Sequence, residues 1–217
     1  RPGEALNVRW IGDPAGDWIG QVTLPSLEDP AYGLFAQDQH GIAPSPNAIR
    51  AVDLENTLET EPNNTREQAT QATAPGALNG IIEEPGDVDN FKFAAKKGQV
   101  FDIRVYARNT LRSPLDSVLV VRRANGSSVG SNDDSGSPDS YLKFTAPADE
   151  DYFVEIYDQL QGGGPNFVYR IEIAPIKPSL TMVLPEQTRY VSTTLQVPRG
   201  NRMALMLNAS RQNFSGD

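Results

Sequence analysis

The sequence has no cysteine and a single histidine, His40, among its 217 residues. Without cysteine there are no disulfides, no thiolate metal sites and no cysteine nucleophile. A Ser-His-Asp triad needs a histidine base, and a zinc site of the common type needs several histidines. His40 stands in a polar segment, residues 38–41, and we interpret it as an ordinary loop residue. The sequence therefore nominates no catalytic residue.

Basic residues are also scarce. Lys and Arg number 19 against 28 Asp and Glu, which gives a formal net charge of −9. Nucleic acids and anionic membranes attract clustered positive charge, so neither is an expected partner. No apolar run approaches the roughly 20 residues that span a bilayer, and no signal peptide opens the chain. Because the chain starts without Met, we expect it to be an excerpt of a longer protein.

Turn-forming residues are plentiful, with 18 Gly and 17 Pro, and they separate short alternating apolar runs. Such alternation places one apolar face inward and is typical of half-buried antiparallel strands. The segment SVLVV, residues 117–121, is apolar on both faces, as in a central strand. The pattern predicts an all-β fold. The alternating positions include Phe91, Phe93, Phe101, Ile103, Val105, Tyr152, Val154, Ile156, Tyr169, Ile171 and Ile173.

The spacing of these runs predicts three parts. Residues 1–56 are expected to hold the C-terminal part of an immunoglobulin-like β-domain and a linker, residues 57–176 a β-sandwich, and residues 177–217 the start of a further β-domain, with strands at 180–184, 194–197 and 203–207. Within the polar stretch 51–77, Asn64 or Thr65 followed by Glu67 or Gln68 resembles a capping box. We therefore expect a helix of about two turns there.

An ordered series of short motifs carries a family resemblance. The series runs through EPNNT (61–65), LNGII (78–82), GDVDNFKF (86–93), LDSVL (115–119), NDD (132–134), DYFVEI (151–156) and YRIEI (169–173). It resembles the bacterial pre-peptidase C-terminal domain, which is related in fold to the collagen-binding domains of clostridial collagenases. The resemblance implies a jelly-roll-like β-sandwich. The flanks resemble the immunoglobulin-like segments that border this module in large exported proteins of planctomycete-type bacteria.

The resemblance also implies a function. Members of this family are non-catalytic accessory modules of exported bacterial proteins, often peptidases, so we expect an extracellular, periplasmic or cell-surface location. The expected roles are adhesion, substrate targeting or spacing. The expected partners are other domains of the parent protein and an extracellular protein or polysaccharide.

A calcium site is the cofactor that the resemblance implies. In the collagen-binding relatives an E-x-E-P-N-(D/N) linker supplies Ca²⁺ ligands, and Glu59, Glu61, Asn63 and Asn64 match that linker here. The nearest candidates for the sandwich acids are Asp87 and Asp89. Asn64 stands where fully acidic sites have Asp, which predicts a weaker affinity. The alternative is structural: the two asparagines form a turn and helix cap, and the glutamates are solvated.

Two other functions remain open. Outward-facing Tyr106, Phe153 and Tyr157 would suit a carbohydrate- or collagen-binding module, provided that they form an exposed strip. A carboxylate-pair hydrolase would need two facing acids in a deep pocket. A second acidic loop, with Asp133, Asp134 and Asp139, is interpreted first as a solubilising surface.

Overall fold

The computed structural model describes residues 1–39, 41–134, 136–184, 197, 199–200 and 202–213. The chain divides into two compact units, Arg1–Pro175 and Ile176–Asp217. Both are built from strands, which confirms the all-β class predicted from the sequence. The finer domain boundaries stay predictions. His40 lies outside the described residues.

The first unit begins with three small antiparallel pairs. Strand β1 pairs with β2, β3 with β6, and β4 with β5. The strands are β1 (Ala5–Trp10), β2 (Trp18–Thr23), β3 (Asp29–Leu34), β4 (Gln37–Asp38), β5 (Gly41–Ile42) and β6 (Asn47–Ala51).

A sandwich of two five-stranded sheets follows. Its strands are β7 (Asn56–Leu58), β8 (Thr70–Gln71), β9 (Gly76–Ile81), β10 (Val88–Ala95), β11 (Val100–Tyr106), β12 (Ser117–Arg123), β13 (Ser128–Asn132), β14 (Tyr141–Thr145), β15 (Glu150–Asp158) and β16 (Val168–Pro175). One sheet has the order β13-β12-β15-β10-β8 and the other β14-β11-β16-β9-β7. The short edge strands β7 and β8 pair in parallel and the remaining neighbours pair antiparallel. The β-sandwich class is thus confirmed.

The inward faces of the two sheets form one apolar core. Period-two alternation directs Phe91 and Phe93 of β10 inward, and both are fully buried. Phe93 contacts aromatic rings from three other strands, with centroid separations of 6.3 Å to Phe101, 6.1 Å to Phe144 and 6.0 Å to Tyr152. Such pairs add about 1 kcal/mol each to the burial of the rings themselves. This core fixes the register of the strands that carry the site described below.

The outer face of the second sheet is covered by the upstream segment through Arg50 of β6. The Arg50 guanidinium forms two 2.8 Å hydrogen bonds to the carboxylate of Glu172 on β16. Its planar face also lies 3.6 Å from the ring centroid of Tyr106 on β11. Arg170 donates a further 2.8 Å hydrogen bond to Glu172. Two arginines therefore neutralise one buried carboxylate.

The same contacts change the status of the predicted aromatic strip. Tyr106 is half-buried beneath Arg50, Phe153 is buried, and Tyr157 is half-buried. The prediction that these three rings lie on the solvent side is therefore wrong for Phe153 and incomplete for the other two. At Tyr106 the difference comes from Arg50 of the upstream segment, a long-range contact that period-two alternation within a strand does not reveal.

The prediction of a linker helix is also wrong, both in the length of the helix and in its capping. The structure has a single 3₁₀ turn, Arg66–Gln68, with Thr65 at the N-cap but no side-chain hydrogen bond to the backbone. Instead, the Thr65 hydroxyl donates to the Gln68 side chain at 3.1 Å. The turn cannot extend because Thr70 already belongs to β8. The one α-helix of the described residues is Arg108–Leu111.

The second unit contains one described antiparallel pair, β17 (Ser179–Val183) with β18 (Asn208–Gln212). Met203–Leu207, predicted as a strand, is not one; the strand starts at Asn208, because Asn208 is the residue that pairs with Val183. Most of the strand predicted at 194–197 lies outside the described residues. In the described part of the chain, no helix combines the length and the apolarity needed to cross a membrane.

Candidate cation site at the start of the linker

Three acidic side chains converge where the linker leaves β7. Glu59, Glu61 and Asp89 each place a carboxylate oxygen within 4.8 Å of the others. Among the described residues they are the one such group of three or more His, Cys, Asp or Glu side chains. Asp89 is fully buried, Glu59 half-buried and Glu61 exposed. The fold therefore brings together three of the six predicted ligands.

Asp89 reaches this position through strand alternation. It stands two residues before Phe91 on β10 and points to the same inward face. A carboxyl group on an otherwise apolar face loses its hydration. Burial, reinforced by the nearby negative charges of Glu59 and Asp87, raises the pKa of Asp89 to about 9. We therefore expect this carboxyl group to carry a proton at neutral pH when no cation is bound.

Tyr169 of β16 joins the two buried acids. Its hydroxyl oxygen lies 2.6 Å from Asp89 Oδ2 and 2.9 Å from Glu59 Oε2. A phenol has one proton to donate, so both contacts are favourable only when one carboxyl group also carries a proton. Burial, followed by the charges of Asp89 and Glu59, raises the pKa of Tyr169 well above its ordinary value. Tyr169 thus acts as a neutral donor in this cluster.

Glu59 is held by the backbone on its other side. Its Oε1 accepts a 2.7 Å hydrogen bond from the Ile81 amide. A Cβ at Gly80 would overlap both the Glu59 carboxylate and the Tyr169 hydroxyl, so only glycine leaves room for them. Burial raises the pKa of Glu59. Gly80 and Tyr169 are site residues that the sequence analysis missed, although a tyrosine at an inward position signals a hydroxyl that needs a partner.

Asn63 closes the cluster from the linker side. Asn63 is fully buried. Its backbone carbonyl oxygen accepts two hydrogen bonds of 3.1 Å, one from the backbone amide of Asn90 and one from the Asn90 side-chain nitrogen. One terminal atom of its amide lies 3.0 Å from Asp89 Oδ1 and 3.2 Å from Glu61 Oε1. With nitrogen in that position the amide donates to both carboxyl groups. With oxygen there, it adds a fourth oxygen to the cluster.

Asp87 and Asn64 lie beside this cluster. Asp87 accepts 2.8 Å hydrogen bonds from the amides of Glu83 and Val88, so both of its carboxylate oxygens hold the turn that precedes β10. Asn64 is exposed. Both line a neighbouring open cleft of about 510 Å³, together with Glu61, Pro62, Glu83 and Glu84. Partial burial, and after it the negative charges of Asp87 and Glu83, raise the pKa of Glu61.

The second predicted acidic loop has a structural use. The Asp139 carboxylate accepts hydrogen bonds from the amides of Ala107, Arg108 and Asn109, at 3.3, 2.8 and 3.3 Å. These are orphan donors at the start of the short α-helix. Asp133 Oδ1 accepts from the Asp134 amide. Asp139 is therefore a helix cap supplied from a distant loop.

Residues 87–158 match the family model described as the bacterial pre-peptidase C-terminal domain. A probable subtilase-type serine protease of Deinococcus radiodurans is 39% identical over 108 residues, which cover 49% of this chain and 15% of that protein. The chain therefore spans about a seventh of the length of this curated relative.

Two solved structures are similar over about half of the chain. The pre-peptidase C-terminal domain of a Bacillus anthracis collagenase has 16% identity and a TM-score of 0.41, covering 51% of this chain and 99% of that one. PliG from Aeromonas hydrophila, a periplasmic inhibitor of g-type lysozyme, has 13% identity and a TM-score of 0.37, covering 55% and 97%.

Proposed function

We propose that the chain serves as a non-catalytic accessory module of an exported, peptidase-related bacterial protein. The observation that carries this proposal is the family match over residues 87–158, which confirms the resemblance read from the sequence. The protease relative supports the peptidase association. In the parent protein the module would space, anchor or target other domains.

The geometry of the acids supports an accessory role over a hydrolase. A general acid must come within hydrogen-bond reach of its substrate. Asp89 has the raised pKa that such an acid needs, but its exposed fraction is 0%. The adjoining cleft is lined by Glu61 and Asp87 but not by Asp89. The burial of Asp89 supports a role for Glu59 and Asp89 in organising the linker.

We further propose that this cluster binds Ca²⁺ and so fixes the start of the linker to the sandwich. Calcium takes six to eight oxygen ligands from carboxylates, amide carbonyls, backbone carbonyls and water. Glu59, Glu61 and Asp89 would supply carboxylate oxygens and Asn63 its amide oxygen. Asp87 and Asn64 would lie outside this set, since the Asp87 oxygens hold the turn and Asn64 lines the cleft. When bound, the ion supplies the positive charge that neutralises these acids.

The protein residues would respond in defined ways. Asp89 would lose its proton, and the Asn63 amide would present oxygen instead of nitrogen to the cluster. The Tyr169 hydroxyl would then donate to one carboxylate without competition from a carboxyl proton. Glu59 links these changes to β9 through Ile81, and Asn63 links them to β10 through Asn90. Residues 59–63 would become more firmly held between the two sheets.

The first prediction concerns calcium. Titrating the purified chain with CaCl₂ in a calorimeter should give saturable heat, and the melting temperature should be higher in CaCl₂ than in EDTA. At about 100 times the dissociation constant, the expected stabilisation is about 2.7 kcal/mol. Asp89→Asn should abolish the heat and the melting shift, because it removes the buried ligand charge. Asp53→Asn, which changes the net charge equally at an exposed position of the upstream segment, should retain both.

An unchanged melting temperature and no heat at millimolar Ca²⁺ would overturn the calcium proposal and leave the accessory proposal standing. The accessory proposal has its own check on the same samples, incubation with casein and with chromogenic glycosides. Hydrolysis that disappears in Asp89→Asn would overturn it in favour of the carboxylate-pair hydrolase.

A further inference from the structure

Two Asn-Gly pairs occur in the chain, Asn79-Gly80 and Asn125-Gly126. In such a pair the backbone nitrogen of the glycine can attack the side-chain amide carbon of the asparagine, because glycine has no Cβ to hinder a close approach. The fold treats the two pairs differently. Asn79-Gly80 lies inside β9, whereas Asn125-Gly126 lies in the turn between β12 and β13, where Asn125 is exposed.

The first pair is held in the sheet. Gly80 belongs to the antiparallel ladder of β9 with β16. The Asn79 side-chain nitrogen donates to the carbonyl oxygens of Thr57 and Ala77, both at 3.2 Å. Its side-chain oxygen accepts a 3.0 Å hydrogen bond from Arg170. Ring closure between Asn79 and Gly80 would rotate the backbone, so β9 would have to leave the sheet, and core strands are the parts of a fold that open at the highest free energy.

The second pair closes a hairpin. The Gly126 amide donates a 2.9 Å hydrogen bond to the Arg123 carbonyl oxygen, and the Arg123 amide donates one of 2.9 Å to the Ser127 carbonyl oxygen. Gly126 has a φ of +88°, a conformation that favours glycine at this turn. Exposed turns open locally at a small free energy compared with core strands. The Gly126 nitrogen is therefore released far more often than the Gly80 nitrogen.

The side-chain carbonyl of Asn125 is already polarised. Its Oδ1 accepts a 3.0 Å hydrogen bond from the Ser127 amide and a 2.7 Å hydrogen bond from the Ser127 hydroxyl. Negative charge develops on this oxygen when a nucleophile adds to the amide carbon, and donors aimed at the oxygen stabilise that charge. The same two bonds fold the side chain back over Gly126, which lies between the two partners in the chain.

We propose that Asn125 is a site of spontaneous deamidation and that the Ser127 donors promote the reaction. The Gly126 nitrogen, after losing its proton to solvent, forms a bond to Asn125 Cγ, and the carbonyl electron pair moves to Oδ1. Collapse of this intermediate breaks the bond to Nδ2, which takes a proton from water and leaves as ammonia, and a cyclic succinimide remains. Water then opens the ring at either carbonyl to give aspartate or isoaspartate. This inference is independent of the cation site and of the proposed accessory role.

The reaction would change a turn that two arginines contact. Arg66 of the 3₁₀ turn donates a 3.2 Å hydrogen bond to the Ala124 carbonyl oxygen, and Arg122 donates one of 3.5 Å to the Gly126 carbonyl oxygen. Aspartate at position 125 would add a negative charge to this turn. Isoaspartate would also lengthen its backbone by a methylene group, which should weaken the contact between the hairpin and Arg66.

The test compares both pairs in one sample. The purified chain is incubated at pH 8 and digested with trypsin, which places the pairs in different peptides because Lys92 and Arg104 lie between them. Mass spectrometry measures the replacement of NH₂ by OH, and labelling with an isoaspartyl methyltransferase detects isoaspartate. In the folded chain Asn125 should convert at least about a hundredfold faster than Asn79, because only Asn79 requires a core strand to open. In concentrated urea the two rates should approach each other.

Ser127→Ala should slow the conversion of Asn125 about two- to tenfold, the range expected for the loss of one hydrogen bond. The matched control is Ser128→Ala, which removes the next hydroxyl along the chain, one that donates to the Gly130 carbonyl oxygen, and it should leave the rate unchanged. Equal melting temperatures of the two variants would separate the effect of the hydroxyl from loosening of the hairpin. Conversion of Asn125 no faster than that of Asn79 in the folded chain would overturn the proposed site. Equal rates in the two serine variants would overturn the promoting role of Ser127.

Discussion

Glu172 and Asp89 are both buried carboxylates in the same sandwich, 6% and 0% exposed, yet their surroundings are opposite. Glu172 lies on an outer sheet face and accepts hydrogen bonds from Arg50 and Arg170. Burial acts to raise its pKa, but the bonds and charges of the two arginines outweigh burial and lower it. Asp89 lies on an inner face beside Glu59, and its pKa is raised to about 9.

The difference shows two ways to satisfy a buried acid. At Glu172 the sequence itself supplies the positive charge. At Asp89 the described neighbours are a neutral phenol, an amide and further acids, so charge neutrality requires either a proton or a cation from solution. The first arrangement ties the upstream segment to the sandwich through a charge pair within the chain. We expect the second to make the linker responsive to pH and to cations. Three predictions test this contrast, beginning with the largest expected effect.

Glu172→Gln should destabilise the chain by about 3–5 kcal/mol, because it leaves two arginines poorly neutralised in a buried setting. Urea unfolding at pH 7 measures the change in the free energy of unfolding. The matched control is Glu155→Gln, which breaks the more exposed pair with Arg122 and should cost about 1 kcal/mol or less. Equal losses in the two variants would mean that the Glu172 network contributes no more than a surface pair.

Asp89→Asn should act in the opposite direction in metal-free protein. Asparagine resembles the protonated carboxyl group, keeps an acceptor for the Tyr169 hydroxyl and removes the cost of protonating, on folding, an acid that is ionised in the unfolded chain. Urea unfolding in EDTA at pH 8 should therefore show an unchanged free energy of unfolding or a gain of up to about 1 kcal/mol. A loss as large as that of Glu172→Gln would contradict the protonated state assigned to Asp89.

The smallest effect is a pH dependence at Glu172. Its folded-state pKa is lowered below the ordinary value of about 4.3, so the stabilisation is fully present above that ordinary value. It is lost as pH falls through the lowered folded-state pKa. The difference in unfolding free energy between the wild-type chain and Glu172→Gln should hence shrink below about pH 4. Urea unfolding of both chains from pH 3 to 7 measures this difference. A difference in unfolding free energy that stays constant over that range would rule out the linkage to Glu172.

Part of the site could be predicted from the sequence. The spacing of Glu59, Glu61 and Asn63 drew attention to the linker through the family resemblance, and the alternation of Asp89 with Phe91 contains the information that Asp89 points inward. That same alternation places Asp87 inward as well, but Asp87 precedes β10 and closes a turn instead. A period-two pattern applies only where the strand exists, and the start of a strand is the least certain part of its prediction.

Local sequence determined the strands, their inward faces and the all-β class, because alternation and turn residues act over a few neighbouring positions. Only the tertiary structure decided which acids meet. Tyr169 reaches Glu59 across 110 residues, and Arg50 reaches Glu172 across 122. Those contacts depend on sheet order and on the register of β16 against β9 and β11, which are set by packing of the whole core. The pKa values of Asp89 and Glu172 moved in opposite directions for the same reason, since burial and partner charge exist only once distant strands have paired.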